Sequence, residues 1–204
     1  DDALARADEA GVSAVVAVGE NLEANRKNLD LSRREVRPRI LLALGVHPGR
    51  VDPEQWKEDL RFIEEHISEA KAVGEIGLDF WYKDVRKDSL KKEWQRRVYR
   101  RLLELARDHD LPALIHTRGA WREAFETARA TGITKAVFHW YSGPLDVLEE
   151  IIGAGYFISA SPSAAYSPES RQALKAAPVE QTLVETDSPV YYRHCEGGFQ
   201  AEPK

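Results

Sequence analysis

The sequence has 204 residues, of which 43% are hydrophobic, so it is long enough to bury a substantial core. Its 34 acidic and 29 basic residues give a formal charge of −5, which argues against a protein that grips duplex DNA through many phosphates. A single cysteine, Cys195, excludes an intrachain disulfide, and without a long apolar run or a secretory leader the sequence predicts a soluble, cytoplasmic protein.

Seven short apolar runs rich in β-branched residues are spaced along the chain. They are nearly continuous in hydrophobicity rather than alternating, which is typical of parallel strands covered on both faces. The predicted strands are 12–19, 39–46, 72–79, 112–117, 135–140, 156–161 and 182–187.

The segments between these strands carry helix signals. Apolar residues recur at helical spacing in 53–70, 88–108, 120–130 and 144–152. Asp52 and Pro53 predict the start of the first of these helices, as N-cap and first helical residue. Ser167 and Pro168 predict the start of a last short helix, and the residues at the very beginning of the chain resemble the middle of one.

This alternation predicts an α/β fold, the TIM-type (β/α)8 barrel. Seven units are one fewer than a barrel needs, so we expect its first strand to precede residue 1. We interpret residues 1–204 as one hydrolase barrel domain, with the N-terminal strand and the C-terminal helix outside it. An open doubly wound sheet is the alternative, although no G-x-G-x-x-G motif follows any strand.

Polar residues collect where the predicted strands end. In a barrel these positions converge on the C-terminal mouth, where active sites form. The residues concerned are His47, Glu75, Asp79, His116, Arg118, His139 and Asp187.

Glu75 is the most informative of these residues, because it interrupts an otherwise apolar strand. Alternation places it on the same face as Asp79, and a buried carboxylate needs a cation, a donor or a metal. Each histidine alone could be a hydrogen-bonded core residue, and Asp187 could be a cap. Their convergence favours a mixed nitrogen and oxygen metal site, of the kind that activates water.

Three further features leave alternatives open. Arg118 could hold a phosphate or pair with an acid. Trp140 and Tyr141 could stack on a base or pack within a loop. The basic residues of 83–101 could steer a nucleic acid, but a solvated helix face explains them more simply.

Five motifs in this order resemble the TatD family of deoxyribonucleases. They are Gly45-Val46-His47-Pro48, Gly74-Glu75-Ile76-Gly77-Leu78-Asp79, His116-Thr117-Arg118 after Leu111-Pro112, Phe138-His139-Trp140-Tyr141-Ser142-Gly143, and Glu185-Thr186-Asp187-Ser188-Pro189. The resemblance covers roughly residues 3–190. It implies a barrel of the amidohydrolase type with two divalent metal ions, either Zn, Mn or Mg.

By this resemblance, Glu75 bridges the two ions, and His116 and His139 complete one site. Asp187 belongs to the other site and orients or deprotonates the attacking water. Glu75 and Asp187 are therefore the expected catalytic residues.

The resemblance also implies hydrolysis of DNA phosphodiester bonds, in single strands or from a 3′ end. His47, Arg118 and Asp79 are the expected substrate-binding residues. Nothing in the sequence indicates a membrane or an obligate protein partner.

Two departures from the family pattern keep other functions open. The family's first strand carries a His-x-His pair, which we expect before Asp1. Trp140-Tyr141 replaces a Cys-Phe pair that is common in the family. The alternatives are an amidohydrolase-type hydrolase of another small substrate, such as an amide, ester or lactone, and a non-catalytic barrel that serves as a scaffold.

Overall fold

The computed structural model describes residues 2–203. Its main sheet consists of β1 (Ala14–Val18), β2 (Arg39–Leu44), β3 (Ala72–Asp79), β4 (Ala113–Arg118), β5 (Ala136–Phe138), β6 (Phe157–Ala160) and β7 (Thr182–Val184). A small antiparallel hairpin follows, formed by β8 (Tyr191–Tyr192) and β9 (Phe199–Gln200).

The helices are α1 (Asp2–Glu9), α2 (Leu22–Ser32), α3 (Trp56–His66), α4 (Ser89–Asp108), α5 (Trp121–Thr131), α6 (Leu145–Gly153) and α7 (Pro168–Ala176). Short 3-10 turns cover Pro48–Arg50, Ile67–Glu69, Pro162–Ala165 and Val179–Gln181.

All strands of the main sheet are parallel, and each one pairs with the next along the chain, in the order β1 to β7. A doubly wound sheet would reverse its strand order at a switch point, so this alternative was wrong. The uninterrupted order is that of a (β/α) barrel, and the predicted fold class is confirmed. It places the C-terminal ends of all seven strands along one edge.

The sheet and α2 to α7 enclose one continuous apolar core. Every residue of β3 is buried, which explains why this strand reads as an apolar run. Within residues 2–203, no helix has the length and apolar composition needed to cross a bilayer.

The strands β3 and β4 approach each other closely at Gly77. This glycine pairs with His116 and has a φ of +151°. An ideal Cβ at this position would lie 1.8 Å from the carbonyl oxygen of His116. Glycine is therefore required here, and the close approach fixes His116 relative to Glu75 on the neighbouring strand.

The predicted start of the first apolar helix was wrong. Asp52 accepts a hydrogen bond from the backbone N–H of Glu54 and so stabilises a turn over the next residues. The helix α3 begins only at Trp56, after Gln55. The other predicted helices are confirmed to within one or two residues, and Ser167 caps the last of them.

Two elements had no counterpart in the sequence-based interpretation. The helix α2 buries only Asn25 and Leu29, so its apolar stripe is too thin to stand out. Its start is marked by Asn21, whose side chain accepts a hydrogen bond from the N–H of Ala24. The hairpin of β8 and β9 was also not predicted, because each of its strands has only two residues.

Candidate metal centre

Three side chains from neighbouring strands meet near the C-terminal edge of the sheet. Glu75 lies in β3, His116 in β4, and His139 directly after β5. Oε1 of Glu75 lies 2.9 Å from Nδ1 of His116 and 2.7 Å from Nε2 of His139. These two ring nitrogens are 3.5 Å apart. One carboxylate oxygen and two imidazole nitrogens therefore converge on a single point.

This set of donors fits a divalent cation. Imidazole nitrogen and carboxylate oxygen together suit zinc, manganese and similar ions. Around a tetrahedral ion with bonds of about 2.1 Å, neighbouring ligand atoms lie about 3.4 Å apart. The three donor atoms are separated by 2.7, 2.9 and 3.5 Å, so shifts of about half an ångström produce that geometry.

Each of the two histidines also contacts a second carboxylate through its other ring nitrogen. Nε2 of His116 lies 3.0 Å from Oδ2 of Asp79, and Nδ1 of His139 lies 3.4 Å from Oε1 of Glu185. Such contacts fix the orientation and tautomer of a metal-binding imidazole. Both rings therefore present their remaining nitrogen to Glu75 in a defined direction.

The charges of the cluster are strongly coupled. Burial acts to raise the pKa of Glu75, but His139 and His116 outweigh it and hold this pKa well below its usual range. Burial acts to lower the pKa of His139, but Glu75 and Glu185 raise it well above the ordinary value. Glu75 is thus an ionised carboxylate in a largely buried place, and a divalent cation could replace the ring protons that balance its charge.

His47 approaches the same cluster from the loop after β2. Its Nε2 is 3.8 Å from Oε1 of Glu75, and the donor atoms of His47, Glu75 and His116 all lie within 4.8 Å of one another. Its Nδ1 accepts a hydrogen bond of 3.0 Å from the N–H of Gly49, so in the neutral ring Nε2 carries the proton. Burial, together with the nearby His116, lowers the pKa of His47 to about 4. His47 is therefore a neutral hydrogen-bond donor beside the site.

Asp187 follows β7 and lines the same cavity as the cluster. Its φ of +49° is uncommon for a residue other than glycine and is typical of functional positions. Burial raises its pKa to about 6, although the nearby His139 acts in the opposite direction. A carboxyl group with this pKa can take up and release a proton near neutral pH.

The cavity has a volume of about 720 Å³. It is lined from one side by the loops after β1 to β4 and from the other side by the loops after β5 to β7. Its walls include Glu20, His47, Tyr82, Arg118, Trp140, Ser142, Ser163, Tyr166, Asp187 and Ser188.

Arg118 reaches the cavity from the end of β4 and is held there in two ways. Its Nε donates to Oδ2 of Asp79 at 3.0 Å, and its Nη2 forms an ion pair with the same oxygen at 2.9 Å. Its central carbon also lies 5.0 Å from the centre of the Tyr82 ring. Asp79 itself is fully buried, and it contacts His116 and Arg118 with the same oxygen. The structure thus brings together all seven residues singled out in the sequence, with Asp79 beneath the cavity rather than in its wall.

Two polar residues that support the site were not singled out in the sequence. Glu185 lies two residues before Asp187, in a stretch that is polar throughout. Gln95 is buried on α4, where its Oε1 accepts from the N–H of Asp79 and its Nε2 donates to the carbonyl of Pro48. It joins the end of β3 to the loop that carries His47. The sequence could have indicated Gln95, because it is a polar residue on the apolar side of a predicted helix.

The sequence model of the TatD related DNase family matches residues 1–204. The chain is 34% identical over 198 residues to human deoxyribonuclease TATDN3, covering 93% of this chain and 72% of that protein. It is 30% identical over 198 residues to the 3′-5′ ssDNA/RNA exonuclease TatD of Salmonella typhimurium, with the same coverage of 93% and 72%.

The fold also matches a solved structure. The crystal structure of YJJV, a TatD homolog from Escherichia coli K12, superposes with a TM-score of 0.79 and 28% sequence identity. The match covers 92% of this chain and 72% of that one. The match over the whole sequence, the relatives and the shared fold agree: the chain belongs to the TatD related DNase family.

Proposed function

We propose that the chain is a metal-dependent phosphodiesterase that cleaves DNA. One observation carries this proposal. At the C-terminal edge of the sheet, Oε1 of Glu75 lies 2.9 Å from Nδ1 of His116 and 2.7 Å from Nε2 of His139. A divalent ion held by Glu75, His116 and His139 supplies the positive charge that activates water and stabilises a phosphate. We propose that the site takes two ions, Zn, Mn or Mg: Glu75, His116 and His139 would hold one, and Glu75 and Asp187 would contribute to holding the other.

The catalytic roles follow from the surroundings of each residue. Asp187 accepts the proton that the attacking water loses, because its carboxyl group lines the cavity beside the proposed centre. His47 donates from Nε2 to a phosphate oxygen, because its Nδ1 is already occupied by the N–H of Gly49. Arg118 binds the phosphate with the part of its guanidinium that faces the cavity. Asp79 contributes to substrate binding indirectly, by holding Arg118 and His116 in place.

We propose single-stranded DNA, attacked from a 3′ end, as the substrate. The similarity to the Salmonella typhimurium relative, which is named a 3′-5′ ssDNA/RNA exonuclease, supports this choice. The acidic net charge supports it as well, since a long duplex footprint needs many basic residues. We also propose a cytoplasmic location, because one cysteine provides no disulfide framework of the secreted kind.

The test compares the parent protein with Glu75→Gln on a 5′-labelled single-stranded oligonucleotide in manganese, magnesium or zinc. Glu75→Gln removes the shared negative charge with little change in shape, so we expect the cleavage rate to fall by roughly 100-fold or more. Glu64→Gln is the matched control, because Glu64 is an exposed partner of Arg101 on the outside of the sheet, and it should keep the parent rate. A chelator should abolish cleavage in both active proteins.

The other outcomes identify the alternatives. Cleavage that survives both the chelator and Glu75→Gln would contradict the proposed centre. Metal uptake without cleavage of DNA, but with hydrolysis of an amide, ester or lactone, would indicate another hydrolase of the amidohydrolase type. Neither metal uptake nor hydrolysis would indicate a scaffold protein.

A further inference from the structure

The wall of the cavity beside the proposed metal centre includes three tyrosine and tryptophan side chains, which are all half-buried but differ in their neighbours. They belong to Tyr82, Trp140 and Tyr166. Arg118 lies over the Tyr82 ring, and the same ring packs so closely on Gly49 that an added Cβ would lie 2.9 Å from it. Tyr82 therefore already contacts both Arg118 and Gly49. Tyr166 packs against His194, with the ring centres 5.3 Å apart.

Trp140 differs because it is the residue directly after His139. Its φ of +44° is unfavourable for a bulky side chain, at a type of position that is often functional. Its backbone N–H stabilises this conformation by donating to Oε1 of Glu185 at 2.9 Å and to Oγ of Ser159 at 3.1 Å. The strained backbone fixes the direction in which the indole leaves the chain.

The indole of Trp140 is also supported by a row of aromatic side chains. The Tyr192 ring packs against it, with the centres 5.5 Å apart and the planes tilted by 42°. Tyr192 is 1% exposed and packs in turn on Phe199 at 5.5 Å. The hairpin of β8 and β9 therefore holds the indole in place, while Trp140 itself remains half-buried in the cavity wall.

We propose that Trp140 is the stacking surface for the nucleobase next to the phosphate at the metal centre. This inference rests on the proposed function. A fixed aromatic face binds any base, because every base has a π-face, but it can do so only when that base is unpaired. The site would then select single strands and frayed ends by the availability of the base rather than by its identity.

The charge distribution is consistent with binding through stacking. The basic residues of α4 are largely engaged elsewhere: Lys91 pairs with Asp84, and Arg96 pairs with Glu123. Arg97 lies over the rings of Trp56 and Trp94. Because these side chains of α4 already have partners and the net charge is −5, the helix offers few contacts to phosphates. We therefore expect stacking to supply much of the affinity for single-stranded DNA.

The test measures binding of a short oligothymidylate with phosphorothioate linkages, which resist cleavage, to the metal-loaded protein. A second oligonucleotide lacks the base at its 3′ end. In the parent protein we expect the missing base to weaken binding by about tenfold. In Trp140→Asn, where asparagine tolerates the left-handed backbone, both oligonucleotides should bind equally weakly. Trp140→Phe should restore most of the difference in affinity between the two oligonucleotides. Tyr191→Leu changes an exposed ring outside the cavity wall, so this variant should show the full difference.

The outcomes separate this inference from the proposed function. Equal binding of the two oligonucleotides to the parent protein, with cleavage intact, would overturn the stacking surface and leave the nuclease in place. A base-dependent difference that persists in Trp140→Asn would also overturn it. Failure of the parent protein to bind or cleave either DNA would overturn the proposed function together with this inference.

Discussion

Three carboxylates lie almost wholly inside the protein, each in a different environment. Glu75 faces two histidines, and Asp79 binds His116 and Arg118. Asp59, 3% exposed, accepts from the N–H of Leu22, but its Oδ1 has no hydrogen-bond partner within residues 2–203. Asp59 therefore incurs a cost of burial that the other two offset through charged partners.

Burial raises the pKa of Asp59, and this shift makes stability depend on pH. In the unfolded chain an aspartate ionises near pH 3.9, whereas the folded protein retains the proton to higher pH. Stability is therefore lost as pH rises from the unfolded to the folded pKa. Asp59→Asn removes this loss. The free energy of unfolding of Asp59→Asn minus that of the parent should therefore increase from pH 4 to pH 7.

Urea unfolding at the two pH values measures this difference. Asp30→Asn, which changes an exposed acid on α2, should give a difference from the parent that is the same at both. A constant difference for Asp59→Asn as well would show that Asp59 has no raised pKa.

The sequence indicated the residues of the proposed metal centre more clearly than the residues that support them. Glu75 interrupts an apolar run, and that departure is visible without a structure. Glu185 opens the motif that contains Asp187, but nothing in its local sequence indicates that its carboxylate contacts His139. Gln95 is separated from Asp79 by 16 positions, and only folding shows that they share a hydrogen bond.

At the level of elements, the pairing of β3 with β4 sets the geometry of the centre. Gly77 leaves room for the carbonyl of His116, and the positions on either side of it are filled by buried residues. The alternation of strand and helix could be predicted because each strand is a continuous apolar run. The helix α2 and the hairpin of β8 and β9 could not, because one has a thin apolar stripe and the other has very short strands.

Gly77→Ala tests the importance of this close approach. The new methyl group would overlap the carbonyl oxygen of His116, and the φ of +151° disfavours any side chain. We expect the free energy of unfolding to fall by roughly 3 kcal/mol or more. We also expect metal affinity to drop as His116 is displaced from Glu75.

Gly153→Ala is the matched control, since a Cβ there meets nothing within 4 Å at the end of α6. That change should raise the free energy of unfolding by up to about 1 kcal/mol. Urea unfolding and metal titration of both variants provide the measurements. A Gly77→Ala protein as stable as the parent would show that the two strands can separate at no cost.

At the level of the whole molecule, the proposed centre connects three strands that are otherwise joined by backbone hydrogen bonds and core packing. An ion bound by Glu75, His116 and His139 would be present only in the folded state, because these residues are distant in sequence. Binding therefore stabilises the fold by mass action.

A free ion concentration of 100 times the dissociation constant should add about 2.7 kcal/mol to the stability. For a chain of this size, that corresponds to a rise in Tm of roughly 5–10 °C. Thermal unfolding with added manganese or zinc, and then with a chelator, measures the gain and its reversal. Glu75→Gln should show almost no gain, and an equal gain in both proteins would place the ion elsewhere.

The position of Glu185 has a consequence for how the site works as a unit. The same oxygen, Oε1, faces His139 Nδ1 at 3.4 Å and accepts the Trp140 N–H at 2.9 Å. His139, a proposed metal ligand, and Trp140, the proposed stacking surface, therefore contact the same atom. Any factor by which the ion changes affinity for an oligonucleotide must equal the factor by which the oligonucleotide changes affinity for the ion. The ratio of the dissociation constants of the ion with and without the oligonucleotide is then a direct measure of their coupling free energy.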